Sequence, residues 1–252
     1  MTKQSIIFDL DGTAIDSPAQ KLPTEQLKQT VKVVQEKYHV SSATGRTWSF
    51  AQPVLQALEL TDPCIISAGT QICNPVTGEI LWQKNIDPVA LDRVVAIFRE
   101  YPLWKIHHND QSEEAYFNGG AFPKDFISTE PVYFLEQSFI PPRVAQEIRE
   151  KLQNIPGIAC MKVTAQKPDT NDLHVVNSEA TKEQAVAQLL HILGLQKSDA
   201  IGIGDGHNDI HLFNAVGHKV AMGNAIVELK EASDEVISSV QEDGLATYLK
   251  SL

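Results

Sequence analysis

Ile6-Ile7-Phe8-Asp9-Leu10-Asp11-Gly12-Thr13 is an apolar run that ends in two carboxylates, with a glycine directly after them. A short apolar run closed by acids reads as a buried strand with chemistry at its C-terminal tip. In extended backbone, residues two apart share a face, so Asp9 and Asp11 point the same way. That pair offers a magnesium ligand, a nucleophile and an acid/base in one small space. Asp and Gly also form ordinary turns at strand ends, so the reading needs support from the rest of the chain. A calcium loop of the EF-hand type is excluded, because Ala14 stands where that loop requires Gly.

Support comes from Ala200-Ile201-Gly202-Ile203, a second short apolar run, which leads into Gly204-Asp205-Gly206-His207-Asn208-Asp209. Acids again close a strand, and Ile210 and Phe213 begin a helical pattern. A dinucleotide fingerprint fails here, since His207 occupies the place of the third glycine. Ser42-Ala43-Thr44-Gly45-Arg46 follows a short strand near His39-Val40. A hydroxyl, a flexible Gly and an Arg at the mouth of a helix suit an anion. Lys182 opens another helical pattern with Ala185, Leu189 and Leu193. Taken singly, Thr44 is more simply a helix cap and Lys182 a solvated first-turn residue.

In this order the segments resemble the haloacid dehalogenase superfamily. The D-x-D-G-T motif is Asp9 to Thr13, the hydroxyl motif is Thr44, the lysine motif is Lys182, and the G-D-x-x-N-D motif is Gly204 to Asp209. Met222-Gly223-Asn224-Ala225 and Glu242-Asp243-Gly244 are similar to the Cof-type sugar-phosphatase branch. Two departures stand out. Ala68-Gly69-Thr70 replaces the Asn-Gly-Ala of that branch, and Glu183 follows the lysine where Gly is usual.

The resemblance implies an α/β fold: a doubly wound parallel sheet carrying an inserted α+β cap of C2 type. Residues 1–72 and 177–252 would form the core, and 73–176 the cap that selects substrate. Periodicity agrees with this division. Leu27, Val31, Val34 and Tyr38 repeat at helical spacing after Pro23-Thr24. Cys64-Ile65-Ile66 reads as a third buried strand, and the turn-rich Asn74 to Glu79 as a hairpin into Ile80-Leu81-Trp82. Helices are expected from Asp87-Pro88 and over Pro142 to Gln153. Strands are expected near Leu103 to His107, Ala115 to Phe117, Val132 to Leu135, Ala159 to Val163 and Leu173 to Val176. Asn118-Gly119-Gly120 reads as a hairpin turn.

Composition sets bounds. At 252 residues the chain can bury a sizeable core. With 42% hydrophobic and 21% charged residues it reads as soluble and globular. A net charge of −11 disfavours nucleic acid and anionic membrane as partners. It also means that a phosphate substrate needs local positive charge, which magnesium, Lys182 and Arg46 would supply. Three cysteines without metal spacing, no leader and no long apolar run point to the cytoplasm.

The expected chemistry is a magnesium-dependent phosphatase of a small phosphorylated metabolite, with a sugar phosphate leading. Asp9 attacks phosphorus, and Asp11 protonates the leaving oxygen and later activates water. Hard oxygen donors favour magnesium over zinc, and the resemblance implies ligation by Asp9, the Asp11 carbonyl and Asp205, with Asp209 in support. Thr44 and Lys182 would bind phosphoryl oxygens, and Asn208 would position Lys182 or Asp9. Gly12, Thr13, Gly45 and Arg46 would line the substrate, though an ion pair is an equally good reading of Arg46. His107, His108, His174, Lys162 and Lys167 are weaker cap candidates; His207 and His211 have the spacing of a zinc pair, but the neighbouring Asp-rich loop argues for magnesium. A pyridoxal-phosphate or nucleotide phosphatase, a phosphosugar mutase and a non-catalytic binding protein remain open. Oligomeric state is not legible.

Overall fold

The computed structural model describes residues 3–17, 21–101, 105–110, 115–116, 130–165 and 167–252. The chain forms two compact units, Met1–Trp82 with Lys182–Leu252, and Gln83–Thr181. The first begins with β1 (Ser5–Phe8), α1 (Glu25–Val34), β2 (His39–Ser42) and α2 (Trp48–Ala57). A three-stranded sheet follows, of β3 (Cys64–Ile66), β4 (Gln71–Cys73) and β5 (Ile80–Gln83). The second unit holds α3 (Pro88–Phe98), β6 (Lys105–His108), β7 (Ala115–Tyr116), β8 (Leu135–Ile140), α4 (Pro142–Leu152), β9 (Ile158–Thr164) and β10 (Asn171–Asn177). The chain then returns to the first unit through α5 (Lys182–Leu193), β11 (Ala200–Gly204), α6 (Asp209–Ala215) and β12 (His218–Ala221). It ends with α7 (Val227–Glu231), β13 (Glu235–Val236) and α8 (Gly244–Lys250).

In the first unit β13-β12-β11-β1-β2 make one parallel sheet. Every residue of β1 and β11 is buried, as expected of parallel strands covered on both faces. This is the doubly wound sheet that the sequence led us to expect. Its core joins Ile6, Phe8, Leu27, Val31, Ile203, Leu212, Phe213 and Leu249. Helix α1 starts where Thr24 accepts a hydrogen bond from the Leu27 amide at 3.0 Å, and its Leu27, Val31 and Val34 face inward.

Register decides what this sheet can do. Phe8 lies opposite Ile203 on one side and Ser42 on the other, so three strands end level. Asp9, Ala43-Thr44 and Asp205 therefore emerge together at the C-terminal edge. The ladder continues one step beyond the strands, with the Asp9 amide donating to the Ile203 carbonyl at 3.0 Å and the Ala43 amide to the Phe8 carbonyl at 2.9 Å.

The second unit is an antiparallel sheet in the order β7-β6-β8-β10-β9 with α3 and α4. Val94, Phe98, Ile106, Ile148, Leu152 and Leu173 share its core. Asp87 caps α3, accepting from the Val89 and Ala90 amides at 2.9 and 3.2 Å. The units divide later than at 72/73 and 176/177, because β3, β4 and β5 form one sheet and β10 runs on to Asn177.

One expected strand moves. Val132 to Leu135 was read as a strand, but β8 starts only at Leu135. The backbone before it bonds to loops instead: the Ile86 amide donates to the Val132 carbonyl, and Asn109 Oδ1 accepts from the Tyr133 amide. Leu103, Phe117 and the Asn118-Gly119-Gly120 turn lie outside the described residues.

Candidate active site

Asp9 is buried immediately beyond β1, and Lys182, the first residue of α5, is buried with it. The Lys182 ammonium donates to Asp9 Oδ1 at 2.8 Å and to Asp209 Oδ1 at 2.7 Å. Asp209 turns its other oxygen toward the preceding loop, where Oδ2 accepts from the Asp205 and Gly206 amides at 3.0 and 2.9 Å. Asp205 is held from the opposite side by the Thr13 hydroxyl, which donates to Oδ1 at 2.8 Å. Carboxylate oxygens of Asp9, Asp205 and Asp209 all lie within 4.8 Å of one another.

Gly12 makes this approach possible. Its φ is +82°, and a Cβ there would stand 2.2 Å from Asp205 Oδ2. Only glycine fits both the left-handed backbone and the oncoming carboxylate.

The electrostatics follow from crowding acids into a buried space. Burial pushes Asp9 well above the ordinary carboxylate range; Lys182 opposes this, while Asp209, Asp205 and Asp11 reinforce it. Burial and then Asp209 push Asp205 up to about 7. Burial alone would lower Lys182, but the Asp209 and Asp9 carboxylates outweigh it and hold the ammonium above its usual value. Lys182 and Arg46 among Asp9, Asp11, Asp205 and Asp209 leave a negative excess, and Asp9, Asp205 and Asp209 offer hard oxygen donors. That donor set fits a hard divalent cation, with Asp9 and Asp205 as ligands and Asp209 shaping the loop.

Asp11, half-buried, is gripped by Arg46 as a fork: Nε donates to Oδ2 at 2.8 Å and Nη2 to Oδ1 at 2.6 Å. Burial lowers the guanidinium's affinity for its proton, yet the Asp11 carboxylate outweighs that and raises it. Arg46 Nη1 also donates to the Phe50 carbonyl at 3.1 Å. Thr44 is buried, and its Oγ1 accepts from the Arg46 amide at 3.2 Å across Gly45. The loop is pinned from beneath by a turn in left-handed backbone, with φ +52° at Ser67 and +58° at Ala68. The Ser67 amide donates to the Arg46 carbonyl at 2.7 Å and the Ala68 amide to the Thr44 carbonyl at 3.2 Å.

Several expectations change. Asn208 was expected to position Lys182 or Asp9; among the described residues Lys182 is held by Asp209 instead, the residue buried at the start of α6. Of the two readings of Arg46, anion contact and ion pair, its guanidinium makes the ion pair, with Asp11 as partner. His207 is exposed and His211 half-buried, with His211 Nδ1 3.7 Å from Glu183 Oε2.

Two side chains in the structure had no role assigned from the sequence, Asn224 and Glu136. Asn224 donates to the Gly12 carbonyl at 2.8 Å. Glu136 Oε2 lies 3.3 Å from both His107 Nε2 and His174 Nε2, a row formed by direct cross-strand neighbours. Burial would raise Glu136, but hydrogen bonds from both imidazoles outweigh it and hold it well below its ordinary value. His174 is raised, since Glu136 outweighs the effect of its burial. Alternation along β8 could have flagged this face, but not the partners.

The family model of haloacid dehalogenase-like hydrolases matches residues 6–249. The chain belongs to that family. The putative phosphatase YkrA of Bacillus subtilis is 25% identical, the comparison covering 100% of this chain and 98% of that protein. The 5-amino-6-(5-phospho-D-ribitylamino)uracil phosphatase YcsE of the same organism is 24% identical over 97% of this chain and 94% of its own. Among solved structures, a haloalkanoate dehalogenase superfamily phosphatase from Bacteroides thetaiotaomicron superposes with a TM-score of 0.82. It is 18% identical, covering 99% of this chain and 95% of that one, which speaks for the fold alone.

Proposed function

We propose that this hydrolase is a magnesium-dependent phosphatase of a small phosphorylated metabolite and works through an aspartyl phosphate on Asp9. The enzyme class, phosphoric monoester hydrolysis, follows from its family and its named relatives. The observation that carries the mechanism is the buried ammonium of Lys182 bridging Asp9 and Asp209 beside Asp205.

Asp9 attacks phosphorus, and the bond to the ester oxygen breaks as Asp11 gives that oxygen a proton. Water then attacks the phosphoryl group, Asp11 takes its proton, and the bond to Asp9 breaks. Lys182 aims the Asp9 carboxylate and, with Thr44, offsets charge on the phosphoryl oxygens. Asp209 orients the ammonium and the Asp205 loop, while Gly12, Thr13 and Gly45 border the reacting group. A bound magnesium would supply the positive charge that keeps Asp9 ionised and draws the phosphate in.

The unit Gln83–Thr181 is assigned the choice of substrate. A sugar or polyol phosphate is the leading candidate, in keeping with the ribityl phosphate in the name of the relative YcsE. A cytoplasmic setting belongs to the same reading, supported by the odd, unspaced cysteines. Phosphate release from a panel of sugar phosphates, nucleotides and pyridoxal phosphate, with magnesium or EDTA and beside Asp9→Asn, tests it. Release should require both magnesium and Asp9. Isomer conversion without release would make the enzyme a mutase.

A further inference from the structure

The stretches 222–225 and 242–244 carry no part of the chemistry above, yet they meet it. Asn224 lies in the turn after β12, and its side chain bonds in two directions: Nδ2 donates to the Gly12 carbonyl and Oδ1 accepts from the Val240 amide, both at 2.8 Å. Two residues on, the Ile226 amide donates to the Asp205 carbonyl at 3.0 Å. A single turn therefore holds both acid-bearing loops by their backbones, the one after β1 and the one after β11.

The neighbouring contacts form a strap with the same geometry. Gln241 Nε2 donates to Asp16 Oδ1 at 2.8 Å, and Thr24 Oγ1 donates to Asp243 Oδ2 at 2.9 Å. The strap lies close against the turn: a Cβ on Gly223 would stand 2.7 Å from the Ser239 amide, and one on Gly244 would stand 2.1 Å from the Ser238 carbonyl oxygen. Of these contacts, the Asn224 turn alone reaches the two loops whose separation sets the distance between Asp9 and Asp205. Between them Gly12 leaves no room for a side chain beside the Asp205 carboxylate, and the Thr13 hydroxyl donates to that carboxylate.

We propose that Asn224 is a positioning residue that fixes the spacing of the two acid-bearing loops and so tunes the affinity of the acid cluster for its divalent cation. This rests on the metal reading above. Partners that orient metal ligands commonly change metal affinity about ten- to a hundredfold when removed. Asn224 is exposed, so the lower end is expected.

The test is magnesium binding by isothermal titration calorimetry to the full chain, alongside thermal unfolding in EDTA. Asn224→Ala should bind magnesium about tenfold more weakly, with its EDTA unfolding midpoint within a few degrees of wild type. Ser239→Ala, which cuts a contact inside the strap to Glu242 and touches neither acid loop, should bind as wild type does. Should Asn224→Ala fail to fold, Asn224→Ser, too short to reach Gly12, carries the same expectation. Unchanged affinity in the Asn224 variant would overturn the inference alone. So would a loss matched by an equal collapse of the midpoint in EDTA. No binding to wild type would overturn the metal reading and this inference with it.

Discussion

Replacing Lys182 by Met removes the ammonium that bridges buried Asp9 and Asp209 while keeping the length of the side chain. The Lys182 side chain is 3% exposed, and those of Asp9 and Asp209 are 7% and 0%. Removing one partner of such a pair strands the other, at a cost of about 3–5 kcal/mol. Two acids are stranded here, which places Lys182→Met at the upper end. For a chain of this size that corresponds to roughly 6–20 °C in unfolding midpoint. The loss should depend on pH, and its sign follows from Asp9. A carboxylate raised in the folded state costs stability when ionised, above its folded value, and that cost vanishes as pH falls toward the unfolded value of about 3.9. Lys182 is what opposes the rise in Asp9, so its removal widens this window upward. Urea unfolding in EDTA at pH 8 and pH 5.5 reads both effects: a large deficit at the higher pH and a smaller one at the lower. A variant within about 1 kcal/mol of wild type at pH 8, or a deficit independent of pH, would refute the buried charge balance described here.

Other perturbations separate the remaining parts. Gly12→Ala forces a Cβ into the Asp205 carboxylate from left-handed backbone; magnesium binding and phosphate release should fall together, with stability lower by at least about 1–3 kcal/mol. Arg46→Lys keeps the charge but cannot fork onto Asp11. Turnover should drop about 10–100-fold, while stability moves by less than about 1 kcal/mol because the pair is partly solvated; full turnover would detach Arg46 from the mechanism. In the second unit, His174 is raised and Glu136 depressed. The His174 contribution is complete below its unfolded value of about 6.5 and is lost as pH rises through the folded value, while that of Glu136 is complete above about 4.3 and is lost as pH falls through its folded value. Hydrogen exchange in β6, β8 and β10 should therefore speed up above neutrality, and His174→Gln should flatten that rise. The same slope in both proteins would disprove it.

Sequence revealed the acids readily because apolar runs that end in carboxylates are hard to explain by packing. Asp9 and Asp205 stand at such ends, and the level register of β1 and β11 brings them together. An ion pair at Arg46 was legible but its partner Asp11 was not, since only the path of the loop decides which acid a guanidinium meets. Asp209 and Asn208 show the same limit: adjacent residues at a helix start, of which the buried one holds the lysine. The beginning of β8 was misjudged because Val132 to Phe134 are apolar, and their hydrogen bonds to Ile86 and Asn109 lie far away in sequence. The Glu136 row depends on cross-strand neighbours, which periodicity along a single strand does not encode.

The most direct test of the covalent route through Asp9 is mass spectrometry of acid-quenched Asp11→Asn protein after mixing with magnesium and p-nitrophenyl phosphate, whose leaving group needs no proton from Asp11. Without the Asp11 carboxylate to activate water, the intermediate should accumulate as one phosphoryl group on the peptide bearing Asp9. Phosphate release with no phosphorylated peptide, or a phosphoryl group on another residue, would contradict the account.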